Sequence, residues 1–110
     1  MFRVKQILSD HISLKNEISF LEERLAALPE GTEEEAAVRR ALLRARLQAA
    51  RTERAVYALP SPRRRRLLEA RYLQGMSWQE IAGLFSLSES TLYALHREAL
   101  KELEERMFPG

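Results

Sequence analysis

The feature that most constrains this chain is a spacing. Val4, Ile7, His11, Leu14, Ile18, Leu21, Leu25 and Leu28 follow one another in alternating steps of three and four, and His11 is the single polar member. Only a helix gathers such positions onto one stripe, so the spacing predicts a long amphipathic helix. The rhythm stops at Leu28-Pro29-Glu30-Gly31-Thr32. Pro29 and Gly31 break the helix, and Thr32 with Glu35 forms a capping-box signature for the next one. The same steps then resume at Val38, Leu42, Ala45, Ala49, Thr52, Val56 and Leu59. Two helices of similar length joined by a short link predict an antiparallel, coiled-coil-like hairpin over residues 1–58.

A parallel stripe of Leu43, Leu47, Ala50 and Tyr57 flanks the second seam. One hairpin buries one seam but hardly both, so the extra stripe predicts contact with another chain or with the C-terminal half. The expectation is a homodimer whose seam holds Ile7, His11, Leu14, Ile18, Leu21 and Leu25 together with Leu43 and Leu47. His11 is expected to set register there rather than bind metal, because no second ligand stands four residues away on its seam.

The second half is punctuated differently. In Leu59-Pro60-Ser61-Pro62, Ser61 is a good N-cap and Pro62 suits the first helical position. A third helix follows through RRRRLLEARYLQ, with Leu67, Leu68, Tyr72 and Leu73 as its apolar stripe and Gly75 as the left-handed residue that ends it. Ser77, with Glu80 three residues on, caps a short fourth helix whose inward residues are Ile81, Ala82, Leu84 and Phe85. Ser86-Leu87-Ser88 makes a corner, and Ser88 caps a last helix over 89–107 with Leu92, Leu95, Ala99, Leu100 and Leu103 inward. Two helices joined by so short a turn must cross steeply, with a small residue such as Ala82 where they approach. The expected fold is all-α: the hairpin, then a three-helix helix-turn-helix module over 59–110.

The charges are segregated. The formal net charge is only +2, yet from Arg39 to Arg71 there are eleven arginines against two acids, Glu53 and Glu69. A field summed over one face attracts polyanions whatever the net total, so this region favours a phosphate-rich partner.

The stretch LPSPRRRRLLEARYLQGMSWQEIAGLFSLSESTLYALHREALKEL resembles the fourth region of sigma-70-type factors and related helix-turn-helix regulators. The residues that carry it are Leu59-Pro60, Arg71-Tyr72, Gly75, Ser77-Trp78-Gln79-Glu80-Ile81-Ala82, Ser88, Thr91-Leu92, Ala99-Leu100 and Leu103. The whole layout is similar to small phage-encoded transcriptional regulators of the ArpU and RinA type. One departure stands out: Ser86 occupies the corner position where the motif usually carries glycine, and a positive φ there would strain serine.

The resemblance implies a double-stranded DNA partner, with the last helix in the major groove. Ser90, Thr91, Tyr93, Ala94 and Arg97 match the base-reading and backbone-contacting face, with Ser88, Glu89 and Lys101 at its margins. Arg97 is expected on guanine or phosphate. Ser77, Trp78 and Gln79 lie at a helix N-terminus that favours phosphate, although Trp78 is as readily a packing residue, as is Tyr93. His96 is expected at the margin of the core. Arg63, Arg64, Arg65 and Arg66 surround the start of the third helix, so some should reach DNA, each steepening the salt dependence by about 0.9 in log-log slope. Arg71 and Glu80 are expected to pair.

The leading expectation is a sequence-specific transcription regulator that also touches RNA polymerase. The alternatives are a DNA-packaging adaptor of the small terminase subunit kind and a protein-interaction module. No nucleophile is paired with a base, and neither a glycine-rich phosphate loop nor HExxH spacing occurs. The chain is therefore read as a non-enzyme without cofactor, metal or small-molecule substrate. The lack of cysteine and of any long apolar run excludes disulfides and argues against a membrane span. A cytoplasmic, nucleoid-associated location is expected.

Overall fold

A computed structural model describes residues 2–110. Among them the chain is helical throughout, with no strand: α1 (Arg3–Ser9), α2 (His11–Ala27), α3 (Glu33–Tyr57), α4 (Pro62–Leu68), α5 (Trp78–Phe85) and α6 (Glu89–Met107). A π-helical turn, Glu69–Leu73, continues α4. Among the described residues, no helix is long and apolar enough to cross a membrane.

The hairpin forms as its spacing requires. Val38, Leu42, Ala45, Ala49, Thr52, Val56 and Leu59 are all buried, and α2 supplies Ile18 with the half-buried Leu14, Leu21 and Leu25. Thr32 Oγ1 accepts from the Glu35 amide at 3.1 Å, and the Glu35 carboxylate reaches back to the amide of Gly31, one residue short of the usual box.

A single chain already covers part of the expected dimer seam. His11 and Ile18 are only 2% and 7% exposed within a single chain, because α3 of the same chain covers them. Of the residues assigned to that seam, Leu43 and Leu47 are the ones left open, at 58% and 56%.

The first helix is also not one piece. It is interrupted at Asp10, and α1 leaves the hairpin to pack on α6. Its buried residues are Val4 and Leu8, whereas Ile7, expected on the seam, is half-buried. Val4 and Leu8 join Val56, Leu59, Leu68, Tyr72, Ala99, Leu100 and Leu103 in one cluster. The core therefore runs across the boundary expected between residues 58 and 59. Glu104 fastens this closure by accepting from the Val4 amide at 3.0 Å and from Arg3 Nε at 3.3 Å. The bond from Val4 holds its carboxyl below the ordinary range.

The second core, Leu67, Ala70, Ile81 and Leu92, lies under the helix-turn-helix, and Met76, Trp78, Ala82, Phe85, Leu87 and Leu95 close around it. Ser61 caps α4 by accepting from the Arg64 amide, with Pro62 at the first turn. The π-helical turn is the departure from expectation. The Gln74 amide bonds to the Glu69 carbonyl and the Met76 amide to that of Ala70, both at 2.9 Å, so each ring is one residue wider than its ordinary counterpart. Gly75 then turns the chain at φ +71°, and a Cβ there would stand 3.1 Å from Ile12 Cδ1 of the hairpin.

Candidate nucleic-acid interface

The site is built from two serine caps and the corner between them. Ser77 and Glu80 complete a reciprocal box, Glu80 N–H to Ser77 Oγ and Ser77 N–H to Glu80 Oε1, both 3.1 Å. The hydrogen bonds from Ser77 hold the Glu80 carboxyl below the usual range, so it stays ionised. The amide of Ser77 is therefore spent on a carboxylate, which leaves the following turn of α5 and the exposed Gln79 open at this end.

The corner closes with Ser86 in the left-handed region, φ 53° and ψ 43°. The Leu87 amide bonds to the Ala82 carbonyl at 3.1 Å and the Ser86 amide to that of Gly83 at 3.3 Å, which is a Schellman arrangement with serine where glycine is preferred. The sequence departure at this position thus carries the positive φ that it suggests. Ser88 then starts α6, accepting from the Thr91 amide at 3.3 Å. Its Oγ also lies 2.9 Å from Thr91 Oγ1 and 3.3 Å from Ser90 Oγ, so three hydroxyls cluster at the helix start.

Beyond that cap α6 shows two faces. Leu92, His96, Ala99, Leu100 and Leu103 are buried, whereas Glu89, Ser90, Thr91, Tyr93, Ala94, Arg97 and Lys101 are exposed. Among the described residues, neither Arg97 nor Lys101 has an acidic partner within salt-bridge distance. The outward face is polar, short-chained near its start and cationic one turn on, which is what a major groove admits.

An aromatic stack supports this face from behind. The Trp78 ring meets Tyr93 edge-on at 5.3 Å and His96 at 4.7 Å. Tyr72 Oη stands 2.7 Å from His96 Nε2. Burial, with Lys5 and Arg71 nearby, drives the His96 pKa down to about 4, so the ring is neutral at pH 7. Burial also raises the Tyr72 hydroxyl. Trp78 and Tyr93 therefore join α5 to α6 by packing, with Tyr93 keeping an exposed edge.

The expected Arg71–Glu80 pair does not form. Arg71 instead donates to the Met76 carbonyl at 3.0 Å and lays its guanidinium 4.7 Å from the centroid of the Trp78 ring. Glu80 is held by its own cap, which is the physical reason.

The four-arginine run divides. Arg64 binds Glu102 at 2.5 Å and Glu98 at 3.4 Å, and Arg65 donates to the Leu59 carbonyl at 2.9 Å. These two brace α4 against α6 and the hinge. Arg63 and Arg66 remain exposed and line a cleft of about 660 Å³ with Pro62, Gln74, Leu84 and Phe85. Leu84, expected inward, is 66% exposed at that cleft. The acids that neutralise Arg64 were readable as an i, i+4 pair on the last helix; the cleft left no mark in the spacing.

Among the described residues no group of three His, Asp or Glu side chains converges as a metal site. His11 Nε2 approaches Glu53 Oε2 at 3.4 Å, which supplies the polar partner across the hairpin that its own helix lacks.

Residues 52–103 match the model of the family described as sigma-70, region 4, so this part of the chain is similar to the helix-turn-helix of that family. No curated protein and no solved structure matches the chain.

Proposed function

We propose that this sigma-70 region 4-like segment makes the chain a sequence-specific transcription regulator, with the first half of α6 in the major groove of promoter DNA. The observation that carries this reading is the Ser88-capped face of Ser90, Thr91, Tyr93, Ala94 and Arg97, all exposed, in which Arg97 has no acidic partner among the described residues. Arg97 takes guanine or phosphate, the hydroxyls take base edges or phosphate, and the Ala94 methyl keeps the helix close to the groove. Arg63, Arg66 and the first turn of α5 hold the backbone. The exposed Leu84 and its cleft favour an additional protein contact, for which RNA polymerase is the candidate.

Selection of bound sequences from a random duplex pool, followed by gel shift at physiological salt, tests the reading. A recurrent motif whose binding drops on Arg97→Ala by about 1–3 kcal/mol supports it. Binding that stays indifferent to sequence removes the regulator and leaves the packaging adaptor.

A further inference from the structure

Among the described residues, nothing covers the outward face of α3. Its buried side is Val38, Leu42, Ala45, Ala49, Thr52 and Val56. At 100° per residue the opposite side carries Leu43, Leu47 and Ala50 between Arg40, Arg44, Arg51 and Arg54, all exposed. Among the described residues none of these four arginines has an acidic partner, whereas Arg39 and Arg46 are held by Glu35 and Glu22. The only acid along this stretch, Glu53, turns aside to His11 and Lys15. The face therefore combines two open leucines with four uncompensated cations over about four helical turns.

It borders a groove. Ile7, Leu47, Met107 and Phe108 line a cleft of about 590 Å³, and Arg44 and Arg51 stand along it. We infer that this face and groove dock an acidic amphipathic helix of a partner protein: its apolar ridge on Leu43 and Leu47, its carboxylates on Arg44, Arg51 and the flanking arginines.

Charge complementarity selects that occupant. A second copy of the chain would set this face against itself and bring arginine to arginine, which opposes association. Duplex DNA would satisfy the arginines but leave the leucines in water. The groove also meets the C-terminal end of α6, about 27 Å along the axis from the serine-capped end. An acidic helix satisfies both kinds of side chain at once.

The probe is a synthetic helical peptide with leucines at helical spacing between glutamates, titrated into the full chain by fluorescence anisotropy. The expected result is binding that weakens as salt rises, and that drops about tenfold or more in both Arg44→Glu/Arg51→Glu and Leu43→Ser/Leu47→Ser. All these positions are exposed, so circular dichroism should show both variants folded, and the leucine variant should bind duplex DNA as the parent chain does. The inference is overturned if the peptide does not bind, or if a glutamine-for-glutamate version binds equally well. It is also overturned if the leucine variant converts a dimer to a monomer in sedimentation.

Discussion

Arg71 and Trp78 form a stacked pair: the guanidinium lies 4.7 Å from the centroid of the indole ring while its Nη1 is anchored on the Met76 carbonyl. The pair spans the left-handed turn at Gly75, so it fixes how α5 leaves the π-helical turn. Arg71→Met removes a charged hydrogen bond and a cation–π contact, and about 1–3 kcal/mol should be lost in urea denaturation. Glu80→Gln keeps the capping box and should cost far less. Equal losses for the two would restore an Arg71–Glu80 ion pair.

Ser86 holds a conformation that costs an L-residue about 1–2 kcal/mol relative to the right-handed one. Glycine relieves the strain but gains freedom when unfolded, so Ser86→Gly should stabilise the chain by about 1 kcal/mol at most. Thermal or urea unfolding reads this directly. Destabilisation would mean that the side chain makes a compensating contact.

The division of the arginine run predicts a division in salt dependence. Arg63→Ala/Arg66→Ala should flatten the log-log slope of DNA affinity against salt by about 1.8, if each meets one phosphate. Arg64→Ala should leave the slope nearly unchanged and lower stability, because its Glu98 and Glu102 partners lose their cation. A slope that responds to Arg64 and ignores Arg63 and Arg66 would reverse the assignment.

Acid should destabilise the fold before carboxylates titrate. His96 binds a proton near pH 4 when folded and near its ordinary 6.5 when unfolded. Its contribution is therefore complete above about pH 6.5 and declines as pH falls toward 4, by about 3 kcal/mol in all. Burial lowers His11 as well, in the same direction. Unfolding free energies across this window should be visibly flatter in His96→Gln than in the parent chain.

The sequence rules that worked were local or periodic. Ser61, Ser77 and Ser88 cap helices where capping chemistry places them, and the buried side of α3 follows its spacing residue by residue. The outward side chains of α6 were legible for the same reason. The failures were choices among partners at a distance. Spacing cannot say whether Ile18 faces its own hairpin or a second chain, nor whether Glu80 prefers Arg71 or its own cap. It also did not reveal that Leu8, rather than Ile7, turns inward once α1 departs toward α6, nor that one extra residue per ring widens the end of α4.

That departure of α1 reaches further. The stretch resembling sigma-70 region 4 is roofed by side chains lying far upstream of it, Val4 and Leu8, clipped shut through Glu104. Cutting the polypeptide at the family's own margins would strip this roof and wet Leu100 and Leu103. A fragment trimmed to residues 52–103 should therefore unfold more readily than the intact chain, so the smallest unit that folds by itself here is larger than the matched stretch.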